Sequence, residues 1–436
     1  MAAPTTFHFF FFFIFLVATT TAKVPANRTF KYVNEGEFGP YITEYDASYR
    51  AMPLFGSPFQ LAWYNTTPGK FYVGLRMGTT RSESLFRWVW DANRGKPVGE
   101  KAMLIFSEDG NLILKEKNGK VVWSTGTANK GVVGIKLLPV GNIVLYDKKG
   151  VFVWQSFDHP TDTLMVRQSL TKNGPTKLVS RASPKDNSDG IYSFVLGSNG
   201  MNLFVSPVQG MVTVGALPPP PLLYSDDRFT VTQTPSNITF TNEPGFSFND
   251  VPEFYELQLT PDTGGNFIVA QVKYNATLSI LRLEISGNLV AYTYYDPVAT
   301  DAWERTFTYF SDDDGVLPGC ALPSKCGDLG VCQESMCVAC PTEKGLVGWN
   351  ATCVPPAPCT IGSGVEYYKV VGVEQFIPKF NVGVRMSLKK CAKKCSGECD
   401  CVGFFYWTES SRCWSAPVLG SLTSVSNSSH VAYIKK

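Results

Sequence analysis

The stretch Gly110-Asn111-Leu112-Ile113-Leu114, followed by the polar turn Lys117-Asn118-Gly119 and then Val122-Trp123, decides the fold because it comes back. Its second pass reads Gly141-Asn142-Ile143-Val144-Leu145-Tyr146, the turn Asp147-Lys148-Lys149-Gly150, and Val153-Trp154. An earlier strand already ends in Val89-Trp90. Turn residues between apolar runs predict hairpins. A unit this short cannot bury its own apolar face, so the copies between Val73 and Gln155 must pack on one another and share a core. Three indoles at matching positions are the expected filling of that centre, and they read as core rather than as surfaces for a ligand.

At 436 residues the chain is too long for one core, so several domains are expected. A net charge of +2 with 17% charged residues offers nucleic acid nothing to bind, and no such partner is expected. Aromatic content of 13%, with 38 Gly and 29 Pro, fits a β-rich chain with many turns. Phe7 to Val17 is an apolar run followed by small residues up to Ala22, the layout of a secretory signal, although no Lys or Arg precedes it. The run is too short to span a bilayer, and no later segment approaches that length. With the polar stretch from Ser429 to Lys436, no lipid anchor is expected. Glycosylation sequons at Asn27, Asn65, Asn237, Asn275, Asn350 and Asn427 agree with secretion. So does the clustering of all 12 Cys at or beyond Cys320, which also marks a domain boundary.

Three segments together resemble a plant bulb-type lectin domain: Arg87-Trp88-Val89-Trp90-Asp91-Ala92-Asn93-Arg94-Gly95-Lys96-Pro97-Val98, the two Gly-Asn strands, and Trp154-Gln155-Ser156-Phe157-Asp158-His159-Pro160-Thr161-Asp162-Thr163-Leu164. The resemblance implies a β-prism of three four-stranded sheets. Over nearly its full length the chain is similar to the epidermis-specific secreted glycoproteins of plants, kinase-less relatives of the S-locus glycoproteins. The expected fold class is therefore mostly β: tandem β-prism II (bulb-type lectin) domains, then a small disulfide-rich EGF-like module and a PAN/apple-like α+β domain. The expected division is a signal peptide over 1–22, a lead-in over 23–56, a first lectin domain over 57–180 and a degenerate lectin-like domain over 185–312. The EGF-like module follows over 318–354 and the PAN/apple-like domain over 359–436. Pro218 to Pro221 reads as an extended loop between strands of the second lectin-like unit.

Cys320, Cys326, Cys332, Cys337, Cys340 and Cys353 sit in sequence too poor in apolar residues to hold a core, so disulfides are expected there, their pairing left open. Zinc is the rival reading, set aside for a secreted chain poor in His, and no metal is expected. Further on, Ser387 can cap a helix with Leu388, Cys391 and Cys395 on one face. The spacing of Cys391, Cys395, Cys399 and Cys401, with Cys359 before them and Cys413-Trp414 after, resembles a PAN/apple domain.

Catalytic machinery is hard to find. Outside the leader only His159 and His430 remain, one in a Pro-containing turn and one near the carboxyl terminus, and neither has a partner legible in the sequence. The even Cys count leaves no thiol for nucleophilic work, and no Gly-rich loop opens a helix after a strand, so neither enzyme activity nor a cofactor is expected.

Sugar binding has a physical case, because residues two apart on a strand face the same way and can present a row of polar groups to adjacent hydroxyls. The lectin resemblance implies the row Gln-x-Asp-x-Asn-x-Val-x-Tyr for mannose. The first copy reads Ser107, Asp109, Asn111, Ile113, Lys115; the second reads Leu138, Val140, Asn142, Val144, Tyr146. A third, in the second unit, reads Glu284, Ser286, Asn288, Val290, Tyr292. No copy is intact, the first keeps Asp and Asn, and Gly-Asn pairs also suit tight turns. The expected function is a non-enzymatic, cell-wall-associated secreted glycoprotein that binds mannose-containing glycans through degenerate sites. The alternative is an extracellular scaffold whose lectin folds no longer bind sugar. Lys389, Lys390, Lys393 and Lys394 suggest contact with an anionic wall polysaccharide such as pectin, and self-association between chains is left open.

Overall fold

A computed structural model describes residues 23–80, 85–198, 200–205, 222–224, 233–245, 247–248, 251–313, 315–355, 364–380 and 382–436. The apolar leader, Pro218 to Pro221 and Cys359 lie outside the described residues.

Three sheets built from the repeat close around the three predicted indoles. One sheet holds Ser48–Gly56, Phe59–Thr67, Lys70–Met77 and Arg87–Asp91; the next holds Phe30–Val33, Met103–Phe106, Leu112–Lys115 and Val121–Ser124. The third holds Val132–Leu137, Ile143–Asp147 and Phe152–Gln155. Trp90, Trp123 and Trp154 meet edge to face at the axis, with ring centroids 6.2, 6.1 and 5.9 Å apart. That geometry places the positive edge of each ring against the negative face of the next. His159 stacks on Trp154 at 5.4 Å, and its carbonyl accepts the Trp90 indole N–H at 2.9 Å, so the predicted turn histidine caps the indole cluster.

The stretch 23–56 is not a lead-in. Phe30–Val33 pairs antiparallel with Met103–Phe106, and Ser48–Gly56 is an outer strand of the first sheet. Phe30 packs against Tyr32 and Phe106, so these aromatics are drawn into the sheet by the area they bury.

The second unit also begins earlier than expected. Thr163–Met165 pairs with Ser279–Leu283, Ser169–Thr171 with Asn237–Pro244, and Lys177–Ser183 with Asp186–Gly197, each as an outer strand of a four-stranded sheet. The boundary therefore falls between Gln155 and Thr163, not near residue 180. Side chains alternate across a strand, and here Leu164 enters the second core while Met165 enters the first, so this short strand is the seam between two prisms.

The last two expected domains share one body. A five-stranded sheet runs Gly345–Gly348, Met336–Thr342, Leu329–Gln333, Gly420–Ser424, Val373–Glu374, and Leu329–Gln333 lies parallel to Gly420–Ser424. Leu329 and Val331 are buried with Val370, Leu419 and Leu422, because the disulfide-rich stretch has no cover of its own for an apolar strand. Cys320–Cys332 and Cys326–Cys337 interleave, and Cys340 pairs with Cys353. Ser387 caps the helix Leu388–Ser396, whose buried Cys391 and Cys395 bond to Cys413 and Cys401. That helix lies on the sheet of Tyr367–Val371, His430–Lys435, Gly403–Trp407, Arg412–Ala416 and Val384–Arg385.

His430 is not a bare terminal histidine. It is 8% exposed, stacks on Trp407 at 4.1 Å, and places Nδ1 2.6 Å from Glu374 and Nε2 2.9 Å from Glu409. Those partners are remote in sequence.

Candidate functional site

The three rows share one geometry, and it differs from a straight strand. In each copy the first three row positions occupy a tight turn closed by paired backbone bonds: Ser107 with Asn111 and Gly110, Leu138 with Asn142 and Gly141, Glu284 with Asn288 and Gly287. Gly110, Gly141 and Gly287 take φ of 83°, 86° and 87°, a region that glycine enters without Cβ strain. The strand begins only after the Asn.

Each row Asn then ties its turn to the next strand's exit. Asn111 Oδ1 accepts from Thr125 Oγ1 at 3.0 Å and from the Thr127 N–H at 3.1 Å. Asn142 Oδ1 accepts from Ser156 Oγ and the Phe157 N–H, while its Nδ2 donates to Gln155 at 2.8 Å. Asn288 both accepts from and donates to the backbone of Phe310. The second Asn is fully engaged and only 4% exposed. Thr125, Thr127 and Ser156 went unread in the sequence because hydroxyl residues after a strand carry no pattern of their own.

The rows differ in what they leave over. In the first, Asp109 Oδ1 accepts from Ser107 Oγ at 2.6 Å and from the Asn111 N–H at 3.0 Å. Asp109 Oδ2 and Asn111 Nδ2 have no partner among the described residues, and both residues are half-buried beside half-buried Ile113. The first row thus keeps one carboxylate acceptor and one amide donor that no described residue engages.

In the second, Val144 is fully buried, Leu138 and Val140 supply no polar group, and Tyr146 lines an open cavity of about 560 Å³ with Leu138 and Val144. The third lies at the seam between prisms, and its Glu284 and Tyr292 are half-buried and engaged with one another or with the first prism. Tyr292 donates to Glu284 at 3.0 Å, Val290 is 3% exposed, and the Arg87 guanidinium lies 3.9 Å from the Tyr292 ring centroid. Beside them Arg282, 1% exposed, reaches across to Glu44 at 2.7 and 2.9 Å, to the Trp88 carbonyl and to Thr163. Glu44 also accepts from Arg87 and from the Trp88 N–H.

Burial raises the Glu284 carboxyl above its ordinary value against the pull of Arg282, and burial pushes Tyr292 up to about 12. A raised carboxyl holds its proton more tightly folded than unfolded, so its contribution to stability grows as pH falls from neutral toward 4.5 and declines as pH rises. His159, lowered by burial, works the other way below 6.5, so the comparison must be made between variants. Glu284→Gln is expected to remove part of the gain in melting temperature between neutral pH and pH 4.5 while keeping the Tyr292 partner. Equal gains in parent and variant would refute this assignment.

Four of the expected glycosylation positions, Asn27, Asn275, Asn350 and Asn427, are exposed. Asn275, Asn350 and Asn427 each accept the N–H two residues on, and Thr277 and Thr352 add their hydroxyls. Asn237 is half-buried. Asn65 departs from expectation: it lies inside the strand Phe59–Thr67 at 8% exposure, where a glycan has no room. Lys389, Lys390, Lys393 and Lys394 are all exposed, as a solvated helix face would be.

Residues 87–185 match the family model for D-mannose binding lectin. "EP1-like glycoprotein 2" of Arabidopsis thaliana is 45% identical over 95% of this chain and 95% of its own length. The chain belongs to the EP1-like glycoproteins. "Epidermis-specific secreted glycoprotein EP1" of Daucus carota is 47% identical over 80% of this EP1-like chain and 92% of its own length. More distantly, a G-type lectin S-receptor-like serine/threonine-protein kinase of Arabidopsis thaliana is 26% identical, and the EP1-like chain spans 41% of it. Among the described residues no helix is long and apolar enough to cross a membrane.

Proposed function

We propose that this chain is a non-enzymatic, wall-associated extracellular lectin that binds mannose-type glycans through its first row. The observation that supports this is that Asp109 Oδ2 and Asn111 Nδ2, two residues apart on a pinned turn, are engaged by no described residue. A sugar with adjacent hydroxyls can donate to the carboxylate and accept from the amide, and the charged acceptor makes the stronger bond. Turn and amide are already held by Thr125 and Thr127, so little ordering cost remains on binding. Without the Gln and Tyr of the lectin row, few contacts remain and the affinity is weak.

The second prism is read as a scaffold, because its row is covered by Arg87 and joined to the first prism through Arg282 and Glu44. The relative's printed name, an epidermis-specific secreted glycoprotein, supports an extracellular place of action. The test is a glycan array probed with the secreted protein, its own N-glycans trimmed, beside Asp109→Asn and the double variant Asp109→Ala with Asn111→Ala. Mannose-type signal lost in the double variant and reduced in Asp109→Asn is expected. Signal unchanged in both, with melting temperatures preserved, would remove the first row from the account.

A further inference from the structure

The second row has lost its polar groups but not its opening. Its cavity of about 560 Å³ is walled by Tyr146 and Phe152 and ringed by Arg28, Lys136, Lys148 and Lys149. Tyr146 lies against Gly134, where a built Cβ would stand 2.5 Å from the phenol oxygen, and Lys136 Nζ is 4.7 Å from its ring centroid. Phe152 is 46% exposed. The one carboxylate in the lining, Asp147, has its Oδ1 held by the N–H groups of Lys149 and Val151 at 2.8 and 2.9 Å. The cavity therefore joins an aromatic wall to four cations and one acid. The matching turn of the second sheet also borders a cavity with lysines, Lys96, Lys117 and Lys120, yet Lys115 and Val121 stand where the third has Tyr146 and Phe152. The pairing of rings with positive charge belongs to the third sheet.

We propose that this cavity binds a carboxylated saccharide, a hexuronate-type glycan. Its ring carbons pack on Tyr146 and Phe152, and its carboxylate meets Lys148, Lys149 and the guanidinium of Arg28. An apolar wall with a few convergent polar groups is the usual make-up of a small-ligand site, and guanidinium is the natural partner of a planar carboxylate. A neutral hexose gains little here, since Leu138 and Val140 replace the groups that would hold its hydroxyls. The site is independent of mannose binding at the first row, and either can fail without the other.

The experiment measures binding of the full secreted chain to an oligomer of galacturonic acid, to the same oligomer reduced to neutral galactose, and to a poly-glutamate peptide of equal charge. The acidic oligomer is expected to bind about tenfold or more tightly than the neutral one, weakening as salt rises. Lys148→Glu with Lys149→Glu, and separately Arg28→Glu, should each lower its affinity about tenfold, these being exposed turn and surface positions whose exchange leaves the melting temperature unchanged. Tyr146→Ala should lower it at constant charge, whereas Asp109→Ala with Asn111→Ala should leave it as it is. Equal binding of acidic and neutral oligomers would overturn the proposal. So would equal binding of poly-glutamate, or a loss of the same size on exchanging Lys389 and Lys390 for Glu, because surface charge alone would then account for it.

Discussion

Trp90→Ala is expected to destabilise the first prism by about 3–5 kcal/mol, the range for removing a large buried aromatic. Trp90 is 4% exposed and touches both other indoles, so the loss combines buried area, two edge-to-face contacts and the hydrogen bond to the His159 carbonyl. Around the axis the three sheets share this one cluster, and a cavity there cannot be filled by shifting a single sheet. Trp123→Ala should cost less, because Trp123 is only partly buried. Denaturant unfolding of the secreted protein followed by Trp fluorescence reads both. A cost for Trp90→Ala below about 1 kcal/mol would mean that the indoles do not hold the prism together.

Arg282→Ala is the second large effect, at about 3–5 kcal/mol, because it leaves a buried carboxylate short of one of its two guanidinium partners. Glu44, 8% exposed, would keep Arg87 and the Trp88 N–H but lose both bonds from Arg282. The seam between prisms is where the loss is felt, since Arg282 also holds Thr163 on the strand shared by the two cores. Removing both charges in Glu44→Gln with Arg282→Met should cost clearly less than the sum of the single changes, since neither member of the Glu44–Arg282 pair is then left facing a lost partner. A double-mutant cycle checks this, and strictly additive costs would contradict the coupling.

The prism was legible because three features coincide at each repeat: a turn that needs a positive φ, an apolar run, and a Val-Trp end. Ser387 and the buried Cys391 and Cys395 were legible for a similar reason, since a cap and a helical spacing are local signals. The seam was not. Thr163–Met165 is too short to announce a strand, and only its pairing with Ser279–Leu283 assigns it to the second prism. Likewise Leu329–Gln333 reveals its parallel neighbour at Gly420–Ser424 only in three dimensions, so two modules expected to be separate share a core.

At the candidate site the row residues were found, but their geometry was misread. Alternation along a strand suggested a ladder of polar groups, whereas Gly110 and its equivalents bend each row's first half into a turn and put the Asn carbonyl to structural use. Which rows stay open depends on distant residues, Arg87 over the third and Arg28 at the second, and no local pattern reports them. His430 makes the same point: Glu374 and Glu409 reach it through folding alone.

The most direct test of the account is the stoichiometry of mannose binding, measured by titration calorimetry of the deglycosylated full chain with a mannose disaccharide. One weak site per chain is predicted, abolished by Asp109→Ala with Asn111→Ala and untouched by Tyr292→Phe in the third row, where Tyr292 is engaged by Glu284 and Arg87. Two or more equivalent sites, or a single site that survives the first-row variant and is lost with Tyr292→Phe, would contradict it.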